Sequence, residues 1–209
     1  MRHRFFFALL AFFALTIGLY PGLYFVLDRE FGLLSTKDDA LLLDIAWNIG
    51  FYLHIVLGGL AMLVGWTQFN DDWRVKYTRM HRRAGQVYVF SVLLSGLGGV
   101  YIGFFATGGV VAAAGFVSMG IIWLYTTLQA YRFIRNRDTV RHRRMMIYSY
   151  AACFAAVTLR LWMPLGMAIF HDFIPVYRVV AWLCWVPNLA VAHFFLVNKD
   201  HSTRSGAAK

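Results

Sequence analysis

The chain has 209 residues, of which 60% are hydrophobic and 14% charged, and its net charge is +10 at neutral pH. A soluble domain carries about a quarter charged residues, and the mean hydropathy here is +0.58, so a water-soluble enzyme is excluded. The positive charge invites a nucleic-acid reading, but its placement along the chain points to membrane headgroups instead.

Runs of about 20 apolar residues read as membrane-crossing helices, and six follow one another: Phe5–Leu27, Ile45–Phe69, Ala84–Thr107, Val110–Tyr131, Met145–Phe170 and Phe173–Val197. None shows the alternation of a barrel strand. The expected fold class is therefore all-α, a polytopic membrane protein with six transmembrane helices in one bundle. Residues 1–198 form that single domain, and residues 199–209 form a polar tail expected to be disordered. The first run follows Met1-Arg-His-Arg, as a signal peptide would, yet no small-x-small cleavage site follows Leu19 and apolar character continues to Leu27. An uncleaved first helix is the expectation.

The loops set the orientation. Sixteen of the twenty bases lie in the N-terminal tail, the loops after spans 2 and 4, and the C-terminal tail. The opposite loops hold only Arg29 and Lys37, beside Asp28, Glu30, Asp38, Asp39, Asp44 and Asp172. The positive-inside rule places both termini in the cytoplasm, in a cell's inner membrane. The basic loops then meet anionic headgroups rather than nucleic acid. Cys153 and Cys184 lie within spans and have no metal-type spacing, so they read as packing residues.

Span 2 carries Trp47, His54, Gly58, Ala61, Gly65 and Gln68 on one stripe. Its small residues permit close helix approach and leave room beside His54 for a flat ligand. Span 3 repeats Ser91, Ser95, Gly99 and Gly103 every four residues. In span 5, His142, Ser149, Ala152, Ala156 and Arg160 share one sector. At a rise of about 1.5 Å per residue, His54, Met119 and Arg160 fall about 14–16 Å below the acidic end, on three different helices. A guanidinium at that depth costs roughly 2.5–3.5 kcal/mol by insertion scales, and no Asp or Glu lies within any span. Arg160 must therefore be answered by backbone carbonyls, a loop, a lipid or a ligand. Arg178, near the start of span 6, reaches the interface by snorkelling. Helix interruptions are expected at Gly18–Pro21–Gly22 and at Pro164.

A second polar layer marks the basic end. Span 3 is preceded by His81-Arg82-Arg83 and span 5 by His142-Arg143-Arg144, each followed by tyrosine: Tyr88, then Tyr148 and Tyr150. Such clusters are either interfacial anchors or sites for a phosphate, a propionate or a quinone headgroup. His193 falls at the same level.

The stretches FYLHIVLGGLAMLVGWTQF, MHRRAGQVYVF and RHRRMMIYSYAACFAAVTLR carry His54, Gln68-Phe69, His81-Arg82, Gly85, Tyr88, His142, Tyr150 and Thr158-Leu159-Arg160. This combination resembles a prokaryotic family of predicted integral membrane proteins, domain of unknown function 2306. The resemblance covers spans 2 to 5 and implies a membrane protein without an established activity. It also implies an acidic residue in span 6 where this chain has His193.

Three functions remain open at this level. A b-type haem protein would use His54 with Met119, and His81 with His142, as axial ligands, with Arg160 beside a propionate and a quinone or redox protein as partner. Helix pairs 2/4 and 3/5 are also the arrangement of the cytochrome b561 group, an analogy of fold alone. A non-redox protein would bind or move a small anion or lipid headgroup at His54 and Arg160, with Arg82, Arg83, Arg143 and Arg144 as headgroup contacts. A structural accessory subunit would need neither. Phosphate-loop, HExxH and paired intramembrane carboxylate motifs are missing from the sequence, which counts against nucleotide, metalloprotease and proton-pump chemistry.

Overall fold

Backbone polar groups in hydrocarbon must be satisfied within the chain, and a helix does this one segment at a time. The computed structural model, which describes residues 2–27 and 31–197, accordingly consists of helices and their connections, with no strand among the described residues. Six helices are long and apolar enough to cross a membrane: α1 (Phe5–Phe25), α2 (Ile45–Phe69), α3 (Thr78–Gly103), α4 (Val110–Arg135), α5 (Thr139–Phe170) and α6 (Phe173–Phe194). The 199–209 tail, and the loop charges Asp28, Arg29 and Glu30, lie outside the described residues.

Helices α3 and α5 begin several residues before their apolar runs. Thr78 opens α3, and at α5 the Asp138 carboxylate accepts the Arg141 N–H at 2.9 Å. Both His-Arg-Arg clusters therefore sit within the first two turns of their helices, at the helix starts where they were expected. Hydrophobicity marks the buried part of such a helix, whereas capping marks where it starts.

Consecutive helices run antiparallel, and the glycines set how closely they approach. Gly18 of α1 crosses α2 at Gly59, where an added Cβ would lie 2.6 Å from the Gly18 carbonyl oxygen. Gly98 of α3 crosses α2 at Gly50 in the same way, again 2.6 Å from a backbone oxygen. At Gly115 of α4 an added Cβ would lie 2.8 Å from the Ala181 carbonyl oxygen of α6. Contacts this short exclude any side chain and allow backbones to pack directly, which is what drives association once water has gone. Along the α2 stripe Gly58 faces Ser95 Oγ, and Gly65 faces the Tyr150 and Tyr88 rings.

The middle of the bundle is tied by a hydrogen-bonded ring. Thr127 Oγ1 donates to the Trp123 carbonyl at 2.8 Å, so it accepts from Ser149 Oγ at 2.6 Å. Ser149 in turn accepts from the Tyr88 hydroxyl at 2.8 Å, and Tyr88 accepts from Trp123 Nε1 at 3.5 Å. Each hydroxyl gives one proton and takes one, and the circuit starts and ends on Trp123. It joins α3, α4 and α5 where Tyr88, Ser149 and Thr127 are fully buried.

Interruptions occur at different places from those expected. Pro21 does turn the end of α1 into a 3-10 segment, Tyr20–Phe25. Pro164, however, sits within an unbroken stretch, Ala155–Phe170. The break in α5 falls at Phe154, and α6 breaks at Cys184–Trp185, before Pro187. The two breaks are adjacent and bound together. Asn188 Nδ2 lies 2.9 Å from the Cys184 carbonyl, 3.1 Å from Thr158 Oγ1 and 3.3 Å from the Ala151 carbonyl, and Thr158 Oγ1 also reaches Cys184 O. Carbonyls freed by the breaks find side-chain donors, so the irregular backbone is tolerated at membrane depth.

Candidate functional site: a cavity shared by all six helices

Above the Trp123 ring, toward the 31–44 loop, the bundle does not close. A cavity of about 340 Å³ opens there, with lining residues from all six helices. His54 and Arg160 both line it, from α2 and α5, and Met119 joins them from α4. The Trp123 ring, Ala152 and Cys153 form its deep end. The three side chains expected at one depth on three helices thus share one enclosed space.

His54 is held on its α3 side. Its Nδ1 lies 3.0 Å from the Ser95 carbonyl, which can only accept, so Nδ1 carries the proton. Ser95 Oγ donates back to the His54 carbonyl at 2.8 Å. Gly99 lets the ring lie flat against α3, since a Cβ there would fall 2.6 Å from Nδ1. Nε2 has no protein partner among the described residues, which leaves its lone pair as the imidazole's remaining polar group.

Arg160 is only partly answered. One guanidinium nitrogen donates to the Ala156 carbonyl one turn back, at 2.8 Å, and the group lies over the Tyr20 ring, 4.2 Å from its centroid. That contact follows from Pro21. Without an N–H it ends the regular helix, and the tighter turn brings Tyr20 and Tyr24 edge to face along the cavity wall. A cation over an aromatic face contributes about 0.5–2 kcal/mol when desolvated, less than the charge needs at depth. No carboxylate pairs with Arg160 among the described residues.

Two further groups escaped the sequence reading as site residues. Trp47 appeared only as a member of a stripe. Its backbone N–H caps onto Asp44 at 2.7 Å, its ring stacks on Phe51 at 5.2 Å, and it is 2% exposed. It lines the cavity, and its indole Nε1 has no hydrogen-bond partner among the described residues. Lys37, assigned to a loop, folds over the cavity mouth. Its ammonium donates to Thr107 Oγ1 at 2.9 Å and to the Phe105 carbonyl, and burial pulls its pKa below the usual lysine value. Thr36 Oγ1, 3.1 Å from Thr107 Oγ1, completes this strap between two loops. Gly32 turns the chain under the strap with φ of +61°, a conformation natural to glycine. A periodicity argument finds faces of helices. It cannot find a loop lysine folded over them or an indole left without an acceptor.

The basic-end residues stand apart from this cavity. His142 Nδ1 donates to the Ala130 carbonyl at 2.8 Å, and His81 lies within electrostatic reach of His142 and Arg74. His193 Nδ1 is 2.7 Å from the Tyr148 hydroxyl. Arg82, Arg83 and Arg143 are exposed, while Arg144 is half-buried and its Nε has no partner among the described residues. None of these lines the cavity. Arg178, expected to snorkel, donates to the Gly108 carbonyl at 2.7 Å, in the loop at the same end of the bundle. Among the described residues, no cluster of three or more His, Cys, Asp or Glu side chains is placed to hold a metal ion.

Chemically, the cavity offers donors and positive charge against an apolar wall. Among the described residues its charged lining is Arg160 and Lys37, with no Asp or Glu. No curated protein and no solved structure matches the chain. The family described as predicted membrane protein (DUF2306) matches residues 51–196, from His54's helix through α6, and so takes in both His54 and Arg160. The chain belongs to that family.

Proposed function

We propose that this protein binds a small anion, or the anionic head of an amphiphile, in the cavity, with Arg160 as the charge partner and the His54 Nε2 lone pair free to accept from a hydroxyl or other donor on the ligand. The observation that carries this reading is a half-buried guanidinium facing a 340 Å³ cavity with no carboxylate partner among the described residues. An anion there would supply the neutralisation that one carbonyl and one ring do not. The loop charges support a topology with both termini cytoplasmic. In that topology the exposed Arg82, Arg83 and Arg143, with Arg144, meet anionic headgroups of a cell's inner membrane.

The test is thermal unfolding of the protein in lipid nanodiscs against a panel of phosphate, short carboxylates, fatty acids and lysophospholipids. At a hundredfold excess over Kd a bound anion stabilises by about 2.7 kcal/mol, and Arg160→Gln is expected to remove that response. A panel without effect, or an Arg160→Gln protein that responds like wild type, rejects the reading.

A second reading has one specific support. A histidine whose Nδ1–H is fixed on a carbonyl presents Nε2 in the manner of a metal ligand, and Met119 lines the same cavity. At about 30 Å³ per water-sized group, haem b is several times larger than the 340 Å³ cavity, so this reading requires the helices to part; bound haem would give a visible absorption band that His54→Ala alters. A colourless preparation after haem-supplemented expression, unchanged by dithionite, discards it.

A further inference from the structure

The His54 imidazole narrows the ligand of the proposed anion site, and this inference rests on that reading. Its Nδ1 proton is fixed on the Ser95 carbonyl, so Nε2 can only accept. Nε2 is also open. Among the described residues, the sealed side-chain nitrogens and oxygens without a partner are Trp47 Nε1, Trp66 Nε1, Ser91 Oγ and Arg144 Nε, and His54 Nε2 is not one of them. His54 is enclosed by the bundle and lines the cavity, so the space its lone pair meets is the cavity. The charged groups there donate. The Arg160 guanidinium gives one N–H to the Ala156 carbonyl and has others left. The Lys37 ammonium, bonded to Thr107 Oγ1 and the Phe105 carbonyl, has one more proton to offer. Arg160 lies within electrostatic reach of the His54 ring, so donor and acceptor can serve one ligand.

We infer that the cavity takes a phosphate monoester in its hydrogen-phosphate form, a P–O⁻ oxygen accepting from Arg160 and the P–OH donating to His54 Nε2. A fully ionised anion would set its own lone pair against that of Nε2, whereas a hydrogen phosphate brings both a charge and a proton. The tetrahedral group also suits the walls. His54 stands on α2, Arg160 on α5 and Lys37 in the loop between α1 and α2. The free oxygens of a phosphate point in three directions, where a planar carboxylate addresses only two. At about 30 Å³ per water-sized group, the 340 Å³ cavity holds roughly eleven non-hydrogen atoms. The phosphate fills less than half of that space, and the apolar wall of Phe51, Ile55, Phe116, Met119 and Leu159 suits an alkyl substituent.

The experiment measures saturable thermal stabilisation of the full-length protein in zwitterionic nanodiscs at about pH 6, near the second pKa of a phosphomonoester. Hexyl phosphate is compared with hexyl sulfate and hexyl methyl phosphate, which match its monoanion in charge and chain but carry no proton. Hexyl phosphate is expected to bind at least tenfold more tightly than either, as for one hydrogen bond made by a charged group. His54→Phe, which keeps a flat ring and removes the lone pair, is expected to bring that ratio to about one. Sulfate or diester equal to hexyl phosphate in wild type would show that no ligand proton is read, and an unchanged ratio in His54→Phe that another group reads it. Tighter α-hydroxyoctanoate would replace the phosphate by a hydroxy acid, and inorganic phosphate equal to hexyl phosphate would remove the ester. Each of these overturns the inference, while an anion response that still depends on Arg160 leaves the anion-binding reading standing. Silence from every anion removes both. Hexadecyl phosphate bound more tightly than hexyl phosphate assigns the site to a lipid head, and the reverse order to a soluble ester; either supports a hydrogen phosphate in the cavity. Should His54→Phe fail to fold, the phosphate-to-sulfate ratio in wild type decides alone.

Discussion

Alanine at position 98 is expected to lower stability by about 1–3 kcal/mol, the usual cost of forcing extra atoms into a packed interior. The new Cβ would lie 2.6 Å from the Gly50 carbonyl oxygen and 3.4 Å from the His54 amide nitrogen. Both obstacles are backbone, so no side chain can swing aside, and α2 and α3 must separate. Separation would also lift His54 from the Ser95 carbonyl that orients it. The Gly98→Ala protein should therefore melt earlier and lose anion affinity together. Gly22→Ala is the control, since nothing lies within 4 Å of its added Cβ. Equal melting of Gly98→Ala and wild type in nanodiscs would contradict the packing account.

Asn188→Leu should produce the second large effect. The substitution keeps the volume and removes a donor lying within hydrogen-bond distance of Ala151 O, Thr158 Oγ1 and Cys184 O. Side-chain hydrogen bonds in membrane bundles average about 0.6 kcal/mol, so the amide's two protons, shared among these three acceptors, are worth roughly 1.2 kcal/mol together. The loss is local, because these bonds close the paired breaks of α5 and α6. Amide exchange around residues 151–158 and 183–189 should accelerate more than exchange in α3. Thr158→Val should be milder alone and less than additive with Asn188→Leu, because the two residues share the Cys184 carbonyl. Additive effects, or exchange that quickens uniformly, would remove the breaks as a distinct unit.

The family assignment and these two predictions use different kinds of information. The motifs around His54, His81 and Arg160 are local strings, legible residue by residue. Gly98 and Gly50 are 48 positions apart, and their contact exists only once two helices have crossed. Likewise, Pro164 looked like the breaker of α5, yet the chain breaks at Phe154, where the neighbouring α6 break supplies Asn188 as a partner. A proline's missing N–H is a local fact. Where a helix can afford to open depends on what stands beside it.

Hydrophobic run length and loop charge were enough, by themselves, to determine six crossings in one all-helical bundle, because hydrocarbon forces each segment to satisfy its own backbone. Spacing along ideal helices also brought His54, Met119 and Arg160 to a common depth. Whether that depth held a cavity or packed side chains was a tertiary matter, settled by how closely the glycines let helices approach and by a proline that tipped Tyr20 over the guanidinium. The unpartnered indole of Trp47 and the Lys37 strap came from the same source, since an unmet hydrogen bond is a property of surroundings and no residue carries it alone.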